Sequence, residues 1–474
     1  MPQRSPTRVL VIVQNLPVPL DRRVWLECRA LRAAGYGVSV ICPRGPGDPA
    51  HHEIDGVHLY KYRPPPPARG AAGYLLEFLY CWVRTAWLSV VVRRRHGFDV
   101  IQACNPPDTY WALAALWRPL GVRFVFDQHD LNPELFRSRF GEPARARDRV
   151  QLRGLEFLER MTYRLADHVI VTNESYRRVA MTRGRLPRER TTVVRSGPDT
   201  AAMRPLPGVP ELRSGARHLL AYVGIMGPQD GIDVLLRCVR HLVHDFGRTD
   251  VHVVLMGFGD VLDDMRRYAV ELGLGPYVTF PGRVDAAVIA DQLSSADLGL
   301  CPDLRTPLND VSTMNKTMEY MSYALPVVAF DLVETRYSAA DAAVYVPSGD
   351  EAGFAAAVAA LLDDPERRRA MGLAARRRCV RDLDWRPQAE AYVGVFDRLT
   401  GRPVRDPQPT WPAAERRRGA GTPPVRGGRR AVELRGPEAL ADFVVSRGLP
   451  VPGEQSRAHP PADQPADLPD PARR

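Results

Sequence analysis

A lysine at the predicted start of a helix is the strongest candidate for chemistry in this chain of 474 residues. Three residues of types that cap helices precede it: Ser312, Thr313 and Asn315. Lys316 therefore lies in or beside the first turn, where a cation opposes the helix dipole unless an anion is near. Free backbone amides beside a lysine can bind a diphosphate. Glu319, three residues further on, can accept hydrogen bonds from ribose hydroxyl groups. A surface ion pair between Lys316 and Glu319 is the alternative.

A histidine lies at the end of a predicted buried strand, in the stretch Phe126 to Asp130 (FDQHD). Ligands of open α/β sheets bind outside the carboxyl ends of the strands. At this position His129 can donate a hydrogen bond to a ligand, and a satisfied structural histidine is the alternative.

Glycine turns follow two further predicted strands, at Gly224 and Gly227 and again at Gly257. Glycines there let backbone amides approach a phosphate, although such turns are common. The first strand, in contrast, lacks the G-x-G-x-x-G fingerprint of dinucleotide-binding proteins, and no Walker A sequence occurs. The lone D-x-D pair at Asp382 and Asp384 is a weak indication of a metal site.

The elements that position these residues alternate between short apolar runs and helical patterns. Continuous runs of valine, isoleucine, leucine and phenylalanine are typical of parallel strands buried on both faces. The predicted strands are 8–15, 38–43, 99–105, 123–127, 168–173, 191–197, 219–224, 251–257, 278–282, 297–302, 326–331 and 343–347. The alternation predicts two doubly wound, Rossmann-like α/β domains that face a central cleft.

The predicted domain limits follow changes in composition along the chain. We expect an N-terminal domain over 1–200, a proline-rich linker over 201–215 and a C-terminal domain over 216–382. A terminal helix over 383–400 would return to the N-terminal domain. Residues 401–474 contain 14 of the 44 prolines and little apolar periodicity, which predicts a disordered tail.

The charge and cysteine content exclude several classes of protein. The net charge is +10, but only Lys61 and Lys316 are lysines among 65 basic residues, and part of the excess lies in the predicted tail. The charge is therefore poor evidence for a specific nucleic-acid partner. Seven scattered cysteines without a C-x-x-C pair imply neither a zinc site nor a disulfide framework, and they favour a cytoplasmic location.

The longest apolar stretch, residues 74–92 followed by three arginines, has three interpretations. The first is a helix packed on a sheet. The second is a surface helix over 74–95 that docks peripherally on anionic lipid at the inner face of the cell membrane. A spanning helix is disfavoured because Glu77 and Arg84 lie inside the stretch.

Together these stretches resemble the retaining glycosyltransferases of family 4, also called group 1, which have the GT-B fold. The resemblance runs from about residue 8 to residue 399. It rests on the order of the segments LECRALRAAGYGVSVIC at 26–42, ADHVIVT at 166–172, VRSGPD at 194–199 and EYMSYALPVVA at 319–329. The resemblance implies transfer of a sugar from a nucleoside diphosphate donor with retention of configuration, without a cofactor or metal.

The same resemblance assigns roles to individual residues. It implies that Glu319 holds the ribose and that His129 contacts the donor sugar; with Lys316, argued above from its position, these are the predicted catalytic residues. The predicted donor-binding residues are Gly224, Gly227, Asp230, Gly257, Arg283, Asp310 and Asn315, of which the resemblance places Gly224 and Gly227 against the phosphates and Arg283 at the base. Its acceptor-binding residues are Asp21, Arg22, Arg23 and Asp130. The acceptor would be a glycan, a lipid-linked sugar or a small molecule.

The chain departs from the family pattern at four positions. Ile225 and Asp230 stand where the family carries the arginine and lysine of its diphosphate clamp. The acid expected eight residues before Glu319 is Val311, with Asp310 beside it as a substitute, and Ala324 replaces a glycine. We therefore expect a diphosphate clamp rebuilt around Lys316. The alternative functions are a GT-B sugar-nucleotide epimerase and a non-catalytic basic scaffold or nucleic-acid-binding protein. An inactive or partner-dependent member of the family is a further alternative.

Overall fold

The computed structural model describes residues 6–45, 47–65 and 70–403. The predicted disordered tail, 401–474, lies outside the described residues from residue 404 onward. The described chain forms two parallel sheets, each with helices on both faces, and this confirms the predicted α/β fold with two Rossmann-like domains.

The first sheet has eight strands in the order β3-β4-β2-β1-β5-β6-β7-β8. The strands are β1 Arg8–Ile12, β2 Gly37–Pro43, β3 His51–Ile54, β4 Val57–Tyr62, β5 Val100–Cys104, β6 Arg123–Gln128, β7 His168–Val171 and β8 Thr191–Val193. All neighbours are parallel except β3, which pairs antiparallel with β4 at the edge. The helices are α1 Arg22–Ala33, α2 Gly70–Arg95, α3 Trp111–Trp117, α4 Asn132–Phe140, α5 Ala146–Leu165 and α6 Glu174–Thr182.

The second sheet has six parallel strands in the order β11-β10-β9-β12-β13-β14. The strands are β9 His218–Ile225, β10 Val251–Phe258, β11 Val278–Gly282, β12 Leu298–Cys301, β13 Val327–Phe330 and β14 Ala343–Val346. The helices are α7 Ile232–Arg240, α8 Leu262–Glu271, α9 Ala286–Ser295, α10 Asn315–Ser322, α11 Val333–Ala339, α12 Glu351–Asp363, α13 Pro365–Arg378 and α14 Trp385–Thr400.

The last helix, α14, packs on the first sheet although it follows the second in sequence. Trp385, Tyr392 and Phe396 are buried in the same apolar cluster as α1 and β1. The Tyr36 hydroxyl donates to Asp397 at 2.6 Å, which ties the helix to the turn after α1. The chain therefore passes between the two sheets twice.

The two passages lie side by side. Trp385 donates its backbone N–H to the Pro198 carbonyl at 3.0 Å, and a Cβ on Gly197 would lie 2.1 Å from the Leu383 carbonyl. The segment predicted as a linker also packs on the second sheet, because Leu206 and Val209 donate backbone N–H groups to serines of α9. The exact domain limits stay predictions.

All twelve predicted strands are present, and the prediction missed only the hairpin β3–β4. Its first strand reads HHEI with an alternating, half-exposed pattern, so it lacks the apolar run that identified the others. The helix predicted over 74–92 extends over 70–95 as α2. Within the described ranges, no helix combines the length and the apolar character needed to cross a membrane.

Candidate functional site

The candidate residues lie where the strand order of each sheet reverses. In the first sheet the chain passes from β1 to β2 on one side and reaches β5 on the other, so the crevice opens beyond β1 and β5. In the second sheet the corresponding crevice lies beyond β9 and β12. Ligands of open α/β sheets bind at such points, so the fold itself directs a ligand to the space between the two sheets.

Lys316 is buried at the reversal point of the second sheet. Its Nζ donates to Asp303, just beyond β12, at 2.7 Å and lies 5.1 Å from the ring centre of Tyr222 on β9. Burial opposes the charge, but Asp303 and the other polar groups around the ammonium together outweigh it and raise the pKa of Lys316 well above its ordinary value. Lys316 is therefore a fixed cation, already paired with a carboxylate. The predicted surface pair between Lys316 and Glu319 does not form.

The glycine turn after β9 lies against this cation. A Cβ on Gly224 would lie 2.9 Å from the Tyr222 hydroxyl and 3.4 Å from Cε of Lys316, so the missing side chain makes room chiefly for Tyr222. The backbone N–H of Gly227 donates to the Asp230 carboxylate at 2.8 Å. That amide is consequently engaged within the turn, although the prediction placed it against a phosphate. Gly257 lies alongside, where a Cβ would meet the Gly224 carbonyl at 1.9 Å.

Asp230 occupies a position that the resemblance assigns to a cation. Burial raises the pKa of Asp230, and the nearby Lys316 ammonium opposes that rise. The carboxylate holds the turn together rather than supplying positive charge. Lys316 is thus the lysine of this cluster, as the prediction of a rebuilt clamp requires.

Helix α10 begins beside this cluster with Asn315 as its first residue. Met314 is the capping residue, and no side chain caps the helix, so Ser312 and Thr313 do not have their predicted capping role. Both instead contact the first sheet, through Tyr176 and Asn173 of the segment that begins α6. The amide dipoles of α10 therefore point out of an uncapped end.

Glu319 reaches the other side of the cleft. Its carboxylate lies 2.5 Å from the Arg22 guanidinium, at the start of α1, and this pair joins the two sheets. The Glu319 side chain is 14% exposed and that of Arg22 is 49% exposed. A polar ligand entering the cleft can reach this pair without unfolding anything.

Two other predicted donor residues, Arg283 and Asp310, have partners other than Lys316. Arg283 is exposed after β11, with its guanidinium 5.3 Å from the ring centre of Phe258 at the end of β10. Asp310 accepts the Val333 N–H at the start of α11 at 3.0 Å. Val311 packs on the apolar core of the first sheet, so the segment that would carry an acid is fixed to the opposite domain.

His129 is embedded in a buried ionic network beneath the first sheet's reversal point. Its Nε2 lies 2.8 Å from Asp127 and 3.1 Å from Nε of Arg23. Burial alone would lower the pKa of His129, but the Asp127 carboxylate raises it above its ordinary value. Asp127 itself has its pKa lowered, because Arg23 and His129 outweigh the burial.

Nε2 of His129 must donate to bond with Asp127 and accept to bond with Arg23, and it cannot do both. The charge of Asp127 decides which hydrogen bond forms. An ionised carboxylate can only accept, so Nε2 carries the proton and donates to Asp127. Nε of Arg23 then pairs with Glu27, 3.0 Å away. No other hydrogen bond reaches the ring of His129 within the described chain, which leaves Nδ1 as the atom for a ligand.

Glu27 is a site residue that the prediction missed. It is fully buried, and the Gln102 amide donates to both Glu27 and Asp127, at 2.8 and 3.0 Å. Burial, and then the charge of Asp127, raises the pKa of Glu27. Its spacing of four from Arg23 on α1 was the available signal.

This network contains four metal-ligating groups with one ligand atom each within 4.8 Å of the others: Glu27, Cys104, Asp127 and His129. The Arg23 guanidinium lies among them and contacts both carboxylates. The cluster therefore already holds a cation that belongs to the chain.

The four predicted acceptor residues have different positions. Asp21 caps α1 by accepting the Val24 N–H at 3.1 Å, and Arg23 is buried in the network. Arg22 alone points into the cleft, with Glu319. Asp130 follows His129, and burial raises its pKa. The four residues predicted to bind the acceptor therefore have different environments in the structure.

The architecture matches solved structures of glycosyltransferases. Sucrose-phosphate synthase from Thermosynechococcus elongatus superposes with a TM-score of 0.67 at 18% identity, over 83% of this chain and 99% of that one. Anabaena HepE in complex with UDP-glucose superposes with a TM-score of 0.61 at 16% identity, over 82% and 99%. The fold is the GT-B fold of glycosyltransferases.

Sequence comparison identifies the family. The family model for Glycosyltransferase Family 4 matches residues 20–202, and that for Glycosyl transferases group 1 matches residues 217–364. Together the two models span most of both sheets. The chain belongs to the family 4, group 1 glycosyltransferases, and it is a transferase.

The curated relatives act on different substrates. Alpha-maltose-1-phosphate synthase from Mycolicibacterium smegmatis is 27% identical over 77% of this chain and 91% of its own length. D-inositol 3-phosphate glycosyltransferase from Kineococcus radiotolerans is 28% identical over 51% of this chain. The chain spans 59% of the length of that second relative.

Proposed function

We propose that this glycosyltransferase moves a sugar, with retention of configuration, from a UDP- or GDP-sugar to an acceptor in glycan, glycolipid or glycoside biosynthesis. One observation carries the proposal: a buried lysine and an uncapped helix start lie at the reversal point of the second sheet. The complex of HepE with UDP-glucose, a protein of the same fold, supports the choice of donor class.

The diphosphate would bind between Lys316 and the first amides of α10. Departure of the diphosphate builds negative charge, and preorganised donors stabilise it most in a site that excludes water. Asp303 holds the lysine in position in the free enzyme and would share it with the phosphates. Because the chain supplies this cation, we propose that transfer needs no metal, and activity should survive EDTA treatment.

The ribose would bind at Glu319, whose carboxylate can accept its two hydroxyl protons. Arg22 holds that carboxylate at 2.5 Å, so nucleotide binding would exchange one partner for the other. The released guanidinium would then be free to contact the acceptor, as the resemblance implies. Arg283 and Phe258 would flank the base.

The donor sugar would lie toward His129 of the first sheet. With Nε2 committed to Asp127, the imidazolium presents Nδ1–H to the sugar. A leaving phosphate oxygen would take the acceptor proton, so no second carboxylate placed for nucleophilic attack is needed.

A donor screen followed by an acceptor-dependence assay tests the proposal. UDP-, GDP- and ADP-sugars are compared by thermal shift, because a ligand that binds only the folded chain raises its melting temperature. The preferred donor should then release free nucleoside diphosphate only when an acceptor is present. Release of an isomeric sugar nucleotide without acceptor would favour the epimerase instead.

Deleting residues 404–474 separates transfer from the scaffold alternative. Transfer should persist at an unchanged rate, because every residue proposed to act lies between residues 21 and 330. Loss of all activity in a folded truncated chain would favour a function that resides in the basic segment.

A lipid-linked acceptor is the form that the surface of α2 favours. Five large side chains on one face of α2 are exposed: Leu76, Leu79, Tyr80, Val83 and Trp87. Their spacing of three and four forms a continuous apolar stripe, and Arg94 and Arg95 are exposed at the helix end. Such a stripe beside basic groups is typical of helices that lie on anionic membranes.

Vesicle sedimentation tests this surface. Wild-type protein should bind vesicles that contain phosphatidylglycerol and bind phosphatidylcholine vesicles weakly. Val83→Asp should lose the binding, whereas Leu116→Asp, on the exposed face of α3, should keep it. Equal binding by both variants would contradict the proposal.

A further inference from the structure

Three histidines meet at the edge of the first sheet, on the β3–β4 hairpin and at the end of α2. His51 lies on β3, His58 on β4, and His96 follows the last residue of α2. One ring nitrogen of each lies within 4.8 Å of one in both others. The rings of His58 and His96 are 4.0 Å apart, and His51 stacks toward His58 at 6.4 Å. None of these residues belongs to the proposed transfer site.

The second nitrogen of two rings is already engaged. Nδ1 of His58 lies 3.2 Å from the Glu53 carboxylate, and Nε2 of His96 lies 2.7 Å from the Tyr60 hydroxyl. A neutral imidazole can donate with one nitrogen and offer the lone pair of the other. With Nδ1 of His58 and Nε2 of His96 donating to these partners, Nε2 of His58 and Nδ1 of His96 carry the lone pairs for a ligand.

A carboxylate or hydroxyl behind a ligating imidazole is the arrangement found around metal ions in proteins. Such partners fix the tautomer and the ring orientation and increase the basicity of the ligand. Histidines that only stack on one another need no such orientation. The hairpin also places His51 and His58 on paired strands, so backbone hydrogen bonds set their separation.

We propose that His51, His58 and His96 form a binding site for one divalent transition-metal ion, with Zn²⁺ as its representative. Imidazole ligands suit Zn²⁺, Ni²⁺ and Cu²⁺, whereas Mg²⁺ and Ca²⁺ prefer oxygen ligands. Three protein ligands leave one tetrahedral position for water.

The bound ion would connect the edge hairpin to the carboxyl end of α2. The hairpin is the outermost part of the sheet, and its first strand has only one neighbour. A metal ligated from both elements would therefore stabilise the edge and fix the end of the helix that carries the apolar stripe.

Zinc titration of the full chain, prepared without a histidine tag and stripped with EDTA, tests the site. Isothermal titration with ZnCl₂ should show one ion per chain at micromolar or tighter affinity, and saturating Zn²⁺ should raise the melting temperature. His58→Ala and His96→Ala should each weaken binding at least 100-fold. Glu53→Gln should weaken it about 10- to 100-fold, because it removes only the partner of a ligand.

His241→Ala is the matched control. Its imidazole also pairs with a carboxylate, Asp245, but the described chain groups it with no third ligating side chain. Its binding should equal that of the wild type. Unchanged Zn²⁺ affinity in folded His58→Ala or folded His96→Ala, or no binding by the wild-type chain, would overturn the site. Circular dichroism of each variant without metal establishes that it is folded.

Discussion

Arg22 and Arg23 are adjacent, yet they belong to opposite kinds of electrostatic environment. The Arg23 side chain is 9% exposed and contacts Glu27, Asp127, Ser196 and the Val194 carbonyl. Arg22 is half exposed and has one carboxylate partner, Glu319, from the other domain. Arg22 can therefore be reached by a ligand, whereas Arg23 is part of the folded core.

The difference extends to the two sides of the cleft. On the first sheet the charges form a closed network around His129, in which each carboxylate has several partners. On the second sheet Lys316 has one ion-pair partner, Asp303. A buried oxygen without a hydrogen bond occurs on both sides, in Asp303 and in Glu27, so the difference lies in the number of ion pairs around each cation.

The largest expected effect distinguishes the two arginines. Arg23→Ala leaves two carboxylates buried without their cation, and we expect it to cost about 3–5 kcal/mol of unfolding free energy. Arg22→Ala removes a solvent-accessible pair and should cost about 0–1 kcal/mol. Urea unfolding measures both. Similar losses in the two variants would contradict the comparison.

Substitution of the two lysines tests the second side of the cleft. Lys316→Ala should lower kcat about 100- to 1000-fold, the usual loss when a charge-stabilising donor is removed from an active site. Lys61 is equally buried and paired with Asp48 at 2.5 Å, but it lies at the end of β4. Lys61→Ala should therefore lower stability and leave kcat per folded molecule unchanged.

A charge-conserving substitution refines that test. Lys316→Arg should keep the fold but not restore full activity, because a planar guanidinium cannot occupy the place of a compact ammonium beside Gly224. Full activity in Lys316→Arg would mean that only the charge matters.

If the ribose replaces Arg22 as the partner of Glu319, substitutions of the two residues should change nucleotide affinity in opposite directions. Glu319→Gln should weaken binding of the nucleoside diphosphate about 10- to 100-fold, since a hydrogen bond to a charged group contributes about 1.5–3 kcal/mol. Arg22→Ala should tighten it, because it frees the carboxylate. Calorimetry measures both, with Glu271→Gln on the surface of α8 as control. Weaker nucleotide binding in Arg22→Ala would refute the exchange.

The pH dependence of stability tests the closed network. The pKa of Glu27 is raised to about 8 in the folded chain, so between its ordinary value of 4.5 and about 8 the folded state binds more protons than the unfolded state. This group therefore makes stability fall as pH rises from about 4.5. Glu27→Gln should flatten that decline, whereas Glu390→Gln on the exposed face of α14 should leave it unchanged.

The smallest effect concerns the turn after α10. Ala324 has φ of +57°, a conformation that disfavours any residue with a Cβ. The family glycine at this position is explained by that angle. Ala324→Gly should raise the unfolding free energy by about 0.5–1 kcal/mol and leave kcat unchanged. A loss of stability would show that the alanine methyl contributes more through packing than it costs in strain.

Patterns within one segment predicted most of the fold. Buried parallel strands are recognisable from continuous apolar runs, and twelve of them were located that way. The hairpin β3–β4 was missed for the same reason, because half of its residues are polar and interrupt the apolar run, although β4 itself is mostly buried. The three histidines at this edge therefore had no predicted element to carry them.

Contacts between residues that are distant in sequence could not be predicted at the site. Lys316 was expected to face a diphosphate directly, but Asp303 comes from the end of another strand and pairs with it first. Arg22 and Arg23 were expected to act together, yet successive residues of a helix point about 100° apart. Only the periodicity of α1, with Glu27 four residues after Arg23, could have separated them.

The return of α14 to the first sheet has a consequence for the order in which the chain can fold. Trp385, Tyr392, Val395 and Phe396 complete the apolar core that begins with β1. During synthesis, this core cannot be completed until nearly the whole described chain has left the ribosome. The second sheet can therefore be complete while the first sheet still lacks helix α14 on one face. A fragment that ends near residue 200 would never contain that helix.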